Sequence, residues 1–550
     1  MSLSDSERHS NLIIIGGGLS GTCVAIAAAR ANPSLSIRLL EPRAVTGIGS
    51  AYGTVDPDHR LNAPVISHSI IPADTTHLLR WCEANNLLSD DPAAATDYGL
   101  YIRRRDYARY LQDSLGQYLV DHPGPGVYHY CARAVSVTPV MAQGGEARDS
   151  VANLACGYTV TTDDGAQHRA DVVVLTTGNP PARVPAMLQS VAAHPGVITD
   201  PWDAARMSGI GRGDSVLVVG ASLTAADQIC TLLRNGHKGS IQVISRNGLR
   251  PTLAPLPDPS RSDQSTPDLL SIVNGPPPEW LQNALDHDTK GPTVRHLMRA
   301  LRTQMALYKA QGQAWQTAFD ELRNSVWQVW PRLPVAEKKR FLKRLRPWYD
   351  VYRFRIPPQT AAIIARAEQS GRVNFARAGL ISVIDEGPNR LRVRLSRSKA
   401  SAAPATSAGQ SESLSDSLGD SLIVNSLVNC TGFDLSAEPP PGSLYAQLLD
   451  SGLVTRDISG VGFQTDIHGR SMGRNMERSM ERSIAAQPID GLRLIGPPTA
   501  GTWGDPLGGI FISVQVQRMM PGLLHYLTSR ATSANPAAQA NQSNINHSGA

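Results

Sequence analysis

The sequence predicts an α/β protein built from two Rossmann-like dinucleotide-binding domains and an added helical segment. Two observations predict this fold. Two apolar runs, Leu12–Ile15 and Val216–Val219, are each followed directly by a glycine-rich turn and then by a helical pattern, the arrangement of a nucleotide-binding βαβ unit. Two later apolar runs end in Thr-Gly, at Gly178 and at Gly432, where a strand would pass a bound nucleotide. This order, with the chain that follows Gly432, predicts that the second domain is inserted into a discontinuous first one.

The first turn has the full glycine pattern of a dinucleotide site. Gly16 permits the tight turn, Gly18 lets backbone amides approach a pyrophosphate, and Gly21 lets the helix pack closely on the strand. The free N–H groups and positive partial charge of the helix start favour phosphate there. The next apolar run ends on Glu41, and an acid at this position accepts hydrogen bonds from a ribose diol. These features predict FAD, held by a set of residues comprising Gly16, Gly17, Gly18, Ser20, Gly21 and Glu41, with Gly178 at the strand exit.

The second turn is a looser version of the first and predicts a different nucleotide. Ser222 stands where the middle glycine would be, and the following strand, Ile241–Ile244, ends on Ser245-Arg246. A guanidinium there suits a 2′-phosphate, with charge-assisted bonds of roughly 1.5–3 kcal/mol each. We therefore expect NADPH; the alternative is that Arg246 is a solvated residue at a strand end. The predicted NADPH site comprises Gly220, Ser222, Leu223, Thr224, Arg246 and the exit glycine, Gly432.

Bulk properties are those of a globular protein. The chain has 550 residues, 41% hydrophobic and 18% charged, with a net charge of +5, which does not by itself indicate nucleic acid. No apolar run reaches the roughly 18 residues that a membrane span needs, and Met1–Ser10 has no features of a targeting peptide. The six cysteines include no CxxC pair and no metal-ligand spacing. We expect a cytoplasmic, reduced, metal-free protein that is not a disulfide reductase; its oligomeric state stays open.

Local patterns give the remaining elements and the domain limits. Helices are predicted at Ser20–Arg30, Thr75–Asn85 and Arg105–Leu119, and strands at Tyr128–Thr138, Gly157–Thr162 and Val172–Thr176. Met141–Ser150 is predicted to be a mobile loop. The predicted organisation is a flexible N-terminus (1–10), the FAD domain in two parts (11–185 and 433–530), an inserted NAD(P)H domain (186–432) with a helical insertion (276–350) and a disordered loop (396–421), and a disordered tail (531–550).

Several longer motifs resemble a known family. Small residues with a tyrosine, Gly47–Gly53, are followed by Leu61–Pro64, and further matches are Tyr101–Tyr107, Gly220–Asp227 and Ser245–Pro251. Together they resemble a bacterial group of FAD/NAD(P)-binding proteins that includes FAD-dependent urate hydroxylases, and related enzymes hydroxylate amino groups. The resemblance extends from about residue 10 to 525, outside the insertions. It implies that Tyr52, Asn62 and Arg105 belong to the FAD site.

Two segments depart from the family pattern. Trp348–Pro358 aligns with a family segment that commonly reads Trp-Asp-x-His-Arg-His-Arg, but Tyr352 and Phe354 replace the histidines. Arg353 and Arg355 remain, and we expect them, with Arg105, to anchor an anionic substrate; the alternative is that they cap and pair helices. Ile495–Asp505 resembles the flavin-proximal strand and turn. The downstream glutamate often found in the family is absent, so Asp505 is predicted to hold the ribityl chain.

The resemblance implies a flavin monooxygenase. In such enzymes NADPH reduces FAD, and oxygen then forms a flavin C4a-hydroperoxide that hydroxylates the substrate. The predicted substrate is small and polar, a urate-like N-heterocycle or an amino group. One alternative is an NAD(P)H-dependent flavin reductase or oxidase that passes electrons to a partner or to oxygen; another is a binding protein without turnover. The basic Lys338-Lys339-Arg340 stretch could contact nucleic acid or a partner, but we interpret it as a solvated helix face.

Overall fold

The computed structural model describes residues 9–121, 126–141, 155–257, 269–286, 291–397, 421–474 and 486–534. In chain order its strands are β1 (His9–Ile15), β2 (Ile37–Leu40), β3 (Ala95–Thr96), β4 (Gly99–Leu100), β5 (Val127–Tyr130), β6 (Ala134–Met141), β7 (Ala155–Thr162), β8 (Gln167–Leu175), β9 (Val197–Ile198), β10 (Val216–Val219), β11 (Ile241–Ser245), β12 (Val373–Asp385), β13 (Leu391–Arg397), β14 (Ser421–Val424), β15 (Ser426–Asn429), β16 (Arg470–Gly473) and β17 (Gln487–Leu494).

The helices fall into two groups, those that cover the sheets and those of the insertion between β11 and β12. In chain order they are α1 (Leu19–Ala31), α2 (Gly49–Tyr52), α3 (His77–Ala84), α4 (Leu87–Asp90), α5 (Arg104–Asp121), α6 (Ala186–Gln189), α7 (Ala204–Ser208), α8 (Leu223–Arg234), α9 (Leu269–Asn274), α10 (Glu279–Leu285), α11 (Val294–Ala310), α12 (Gln316–Asn324), α13 (Val326–Arg332), α14 (Val335–Arg344), α15 (Arg346–Arg353), α16 (Pro358–Gln369), α17 (Leu444–Asp450), α18 (Ala500–Trp503) and α19 (Gly509–Ala534). Among the described residues no helix combines the length and apolarity that crossing a membrane requires.

The first sheet is assembled from both ends of the chain. Its order is β16-β17-β8-β1-β2-β5, with β7 beside β8 and β6 beside β7. β1 is central and parallel to both neighbours, so that Leu12 lies opposite Ile37 on one side and Val172 on the other. β17, from the C-terminal part, pairs in parallel with β8. The first sheet is therefore discontinuous in sequence.

The second sheet is built entirely from strands that lie between those of the first. Its order is β14-β13-β12-β11-β10-β15-β9, and β10 is parallel to β11 and β15, with Val216 opposite Ile241 and Ser426. Both glycine-rich turns thus leave the carboxyl end of a central parallel strand, where ligands bind in such sheets. The predicted fold class is confirmed.

Helices cover both sheets and position the insertion. The alanine-rich α1 lies flat on the first sheet, where Ala25 and Ala28 are fully buried, and α5 and α19 pack around it. On the second sheet α8 and α16 share one apolar core. The insertion has its own core, in which Trp327 and Trp330 pack against Trp503 and Phe511 of the first domain. The insertion is therefore attached to the C-terminal part of the first domain.

Several predicted limits need correction. The single strand expected at Tyr128–Thr138 is two strands, since the chain bends at Ala132, whose N–H donates to the Tyr130 carbonyl. Residues 9 and 10 of the expected flexible N-terminus lie in β1, residues 531–534 of the expected tail lie in α19, and the helical insertion runs to Arg353 rather than 350. Ser396 and Ser421, the ends of the expected disordered loop, are in strands. The rest of the predicted flexible segments lies outside the described residues, at 1–8, 142–150, 398–420 and 535–550.

Candidate active site

The first glycine-rich turn is shaped so that side chains do not fit. Gly16 has φ +106°, and a Cβ there would lie 2.6 Å from the Thr176 carbonyl oxygen. A Cβ on Gly21 would lie 1.9 Å from the Gly16 carbonyl oxygen. The backbone of β1, the helix start and the strand exit therefore touch one another, which only glycine permits at these two positions.

Glu41 closes this site at the end of β2. Its Oε2 accepts a hydrogen bond from the Gly17 N–H at 2.9 Å, and its Oε1 accepts one from Arg43 Nη1 at 3.0 Å. A Cβ on Gly17 would lie 2.7 Å from the Cβ of Glu41, so the second glycine makes room for this side chain. Oε1 also accepts from the Arg43 N–H at 3.1 Å, so Oε2 is the oxygen that keeps a further acceptor site. The carboxylate is therefore oriented at the cleft edge where a ribose diol is expected.

The second turn repeats the design of the first. Gly220 has φ +107°, and a Cβ there would lie 2.3 Å from the Cys430 carbonyl oxygen. Ser222, the substituted middle position, caps α8 with extended backbone but without a side-chain hydrogen bond to the helix. The turn thus keeps its close strand contact, which depends on Gly220, while Ser222 and Ala225 stand where the middle and last glycines of the pattern would be.

Both helix starts have free donors for phosphate. Neither α1 nor α8 has a side-chain cap or an acid in its first turn. The first N–H groups of such helices have no partner within the helix, and the helix dipole favours an anion at this end. The donor set and the glycine cradles therefore fit two dinucleotide pyrophosphates, one at each turn.

The two turns open into one cleft with a volume of about 3070 Å³, several times that of a pocket for one drug-sized ligand. Thirteen of the predicted site residues line it: Gly16, Gly18, Ser20, Glu41, Tyr52, Asn62, Gly178, Gly220, Ser222, Leu223, Thr224, Arg246 and Gly432. Arg353 lines it too. Gly17 and Gly21 do not, because they pack beneath the turn against the residues described above.

The arginine of the α5 start that reaches the cleft is Arg104, not Arg105. Arg104 Nη2 donates to Asp227 Oδ2 at 2.6 Å, and its guanidinium lies 5.5 Å from the centre of the Trp202 ring. Arg105 is exposed and lines a separate pocket of about 420 Å³ together with Arg109. The structure therefore places Arg104, and not the predicted Arg105, at the cleft.

Asp505 is not positioned to hold a ribityl chain. It is 2% exposed, does not line the cleft, and accepts hydrogen bonds from Arg353 Nε at 2.6 Å and from the Tyr349 hydroxyl at 3.0 Å. Arg353 Nη2 also donates to the Leu507 carbonyl at 3.0 Å. The pair therefore fixes α15 of the insertion to the turn before α19, which is why the sequence prediction for Asp505 is wrong.

Arg355 is also committed to an ion pair. Its Nη2 donates to Asp320 Oδ1 of α12 at 2.6 Å, and it does not line the cleft. The alternative interpretation, that these arginines pair helices, applies to Arg355. Of the two positions that replace family histidines, Phe354 lines the cleft, whereas Tyr352 packs against Phe319 and Trp315 in the insertion.

An aromatic wall stands beside the first turn. The rings of Tyr52 and Tyr107 lie 4.7 Å apart, and the Tyr107 hydroxyl donates to the His68 carbonyl at 2.9 Å. Burial raises the pKa of Tyr52 to about 12 and lowers the pKa of His68 to about 4. Gly509, the first residue of α19, lies against Tyr107 and His68. The wall is therefore uncharged at neutral pH.

Some residues that line the cleft were not predicted from the sequence. The spacing of residues along α5 could have indicated Arg104. Arg104 lies three residues before the buried Tyr107 and seven before the buried Leu111, so it is on the same face of the helix. Trp202 and His68 had no local signal, since their place depends on the packing of distant segments. Lys339, which was interpreted above as part of a solvated face, also lines the cleft, and so does Lys343.

A family model described as FAD-NAD(P)-binding matches residues 13–180. The matched segment runs from β1 to the first strand exit, so this part of the chain is an FAD/NAD(P)-binding domain. A search among curated proteins found no matching sequence.

Three solved structures that share this fold are named as monooxygenases or N-hydroxylases. L-lysine 6-monooxygenase from Pseudomonas syringae aligns with a TM-score of 0.57 and 16% identity, over 94% of this chain and all of the other. Ornithine N-hydroxylase from Kutzneria sp. 744, with reduced FAD, NADP⁺ and L-ornithine, gives 0.55 and 15%, over 95% and 100%. The cadaverine monooxygenase of Erwinia amylovora, bound to FAD, gives 0.55 and 15%, over 94% of each chain. At these identities the likeness is one of fold.

Proposed function

We propose that this protein is an FAD-dependent, NADPH-using monooxygenase that hydroxylates a small polar substrate, either a urate-like N-heterocycle or an amino group. The observation that carries the proposal is the single cleft into which both glycine-rich turns open. A shared cleft lets a hydride donor at one turn reach a flavin at the other, and it leaves room for a substrate. The shared fold with N-hydroxylating enzymes supports the same reaction class.

The proposed reaction balances as substrate–H plus O₂, NADPH and H⁺ giving substrate–OH, H₂O and NADP⁺. When bound, FAD supplies the oxygen chemistry, and the protein supplies position and a dry cavity. The α1 start and Glu41 would hold FAD by its pyrophosphate and ribose. The α8 start and Arg246 would hold NADPH in the same way, with Arg246 at the 2′-phosphate. Tyr52 and Tyr107 would exclude water beside the flavin.

The proposal is tested by NADPH consumption of the FAD-loaded protein in air, with and without urate, L-ornithine or L-lysine. A compound that raises the rate and is itself consumed in equal amount supports the monooxygenase. If the rate responds to no such compound but rises with ferricyanide or another external acceptor, the protein is a reductase or oxidase and the proposal is wrong.

A further inference from the structure

Cationic side chains form a stripe along the cleft face of the insertion. Lys339, Lys343, Arg346 and Arg353, on α14 and α15, all line the cleft. The spacing of four residues within α14 and that of seven within α15 place each pair on one face of its helix. The two lysines are one helical turn apart, about 6 Å. We call Lys339, Lys343 and Arg346 the basic stripe.

The three side chains of the basic stripe differ in how far they are neutralised. Lys339 and Lys343 are exposed to the cleft, and within the part of the chain that the structure describes neither has a carboxylate within ion-pair distance. The buried acid of their own helix, Glu337, is held by Arg340 and by the Val294 N–H. Arg346 uses Nε to bind Asp350 Oδ1 at 2.7 Å, which leaves its terminal nitrogens to donate elsewhere.

A further guanidinium adds to the positive field. Arg323 of α12 lines the cleft and lies 3.5 Å from Asp320, the carboxylate that Arg355 binds at 2.6 Å. One carboxylate thus serves two arginines. The cleft face of the insertion therefore carries more positive charge than its neighbouring acids offset.

The nucleotide phosphates have separate sites. The pyrophosphate donors are the starts of α1 and α8, and the predicted 2′-phosphate partner is Arg246 on β11. The insertion instead packs on α18 and α19 of the first domain, mainly through Trp327, Trp330 and Trp503. The basic stripe therefore belongs to the part of the cleft that neither nucleotide motif accounts for.

We propose that the basic stripe docks an oxyanion of the substrate, so that the substrate carries a carboxylate or similar group and has a net negative charge. This inference rests on the proposed monooxygenase function. Paired lysines and a half-engaged guanidinium attract an oxyanion, and they repel an unmodified diamine. The Erwinia protein with this fold is named a cadaverine monooxygenase, and cadaverine is a dication; this chain selects the opposite charge.

The test uses the FAD-loaded protein and two probes of equal chain length and opposite charge, glutarate and cadaverine. Binding is followed by the change in the flavin absorbance spectrum at low ionic strength. We expect glutarate to bind and cadaverine not to bind. In the double variant Lys339→Gln/Lys343→Gln, glutarate affinity should fall by about tenfold or more, with unchanged FAD content and unchanged NADPH affinity. Lys309→Gln, an exposed lysine of α11 away from the cleft, is the matched control and should leave all three values unchanged.

Three outcomes overturn the inference. The first is equal binding of both probes. The second is glutarate binding that is absent, or that is the same in the double variant as in wild type. The third is a loss of NADPH affinity in the double variant without a loss of glutarate affinity, which would assign the lysines to a nucleotide phosphate. Failure of the proposed function looks different. If glutarate binding depends on the lysines but no compound is hydroxylated, the anion site is supported and the monooxygenase proposal is wrong. If a cationic amine is hydroxylated, the monooxygenase proposal is supported and the anion site is wrong.

Discussion

Arg104 Nη2 lies 2.6 Å from Asp227 Oδ2, and this bond joins the start of α5 in the first domain to α8, the nucleotide helix of the second. The side chains of Arg104 and Asp227 are only 14% and 3% exposed. Burial raises the pKa of Asp227, although Arg104 beside it acts in the opposite direction. The pair therefore orients the two nucleotide turns relative to each other.

Removing one partner of this pair should be costly. Arg104→Met leaves the Asp227 carboxylate buried without its partner, and we expect a loss of about 3–5 kcal/mol in the free energy of unfolding. Chemical denaturation measures this loss. The double variant Arg104→Met/Asp227→Leu should recover part of the loss, because neither buried charge remains; additive losses would contradict a direct coupling.

Gly21 and Gly116 form a matched pair of helical glycines with opposite predicted outcomes. Gly21→Ala places a Cβ 1.9 Å from the Gly16 carbonyl oxygen, so the turn must open and FAD should be lost. Gly116→Ala, in α5, meets nothing within 4 Å and should stabilise the fold by about 0.5–1 kcal/mol. The measurements are flavin content per protein and thermal unfolding. Full flavin content in Gly21→Ala would contradict the account of the first turn.

Arg246 should set the preference between the two nicotinamide cofactors. Arg246→Ala removes the predicted partner of the 2′-phosphate, so KM for NADPH should rise roughly tenfold or more, with little change for NADH. Arg250→Ala is the control, because Arg250 lies outside the cleft and pairs with Glu368 at 2.7 Å. An equal rise for both cofactors in Arg246→Ala would remove the 2′-phosphate role.

His68 should make the fold sensitive to acid. Burial lowers its pKa to about 4, below the value near 6.5 of an unfolded chain. Only the unfolded chain therefore binds the proton between these values, so the stability present above about pH 6.5 is lost as the pH falls toward 4, by about 3 kcal/mol at most. Unfolding of His68→Gln across this window should show a shallower loss. This prediction would be contradicted if the free energy of unfolding of His68→Gln fell with pH as steeply as that of wild type. It would also be contradicted if His525→Gln, at an exposed position, had the same effect.

The sequence was sufficient wherever a function depends on local backbone shape. Gly16 and Gly220 each follow a central strand, and their turns could be predicted because strand, turn and helix are contiguous in sequence. Side-chain partners between distant segments were harder. The sequence around Asp505 does not show that Arg353 and Tyr349 hydrogen-bond to its carboxylate, because those two residues lie on a helix of the insertion.

Helical phase explains the other errors at the site. Three consecutive arginines, Arg103 to Arg105, lie at the start of α5, and only the buried positions Tyr107 and Leu111 show which of the three faces inward. Likewise, the residue pattern of α14 favours a solvated face for Lys339, because that pattern does not show that the helix borders the cleft. The direction in which a helix face points depends on tertiary packing, which the pattern of one helix does not contain.

The central claim is that the protein transfers an oxygen atom from O₂ to a small molecule. The most direct measurement is mass spectrometry of the products formed by the FAD-loaded protein with NADPH under ¹⁸O₂, with urate and amino compounds offered as substrates. The account predicts one ¹⁸O atom in the product and one in water for each NADPH oxidised. NADPH oxidation that yields labelled hydrogen peroxide alone, with every offered compound unchanged, would contradict it.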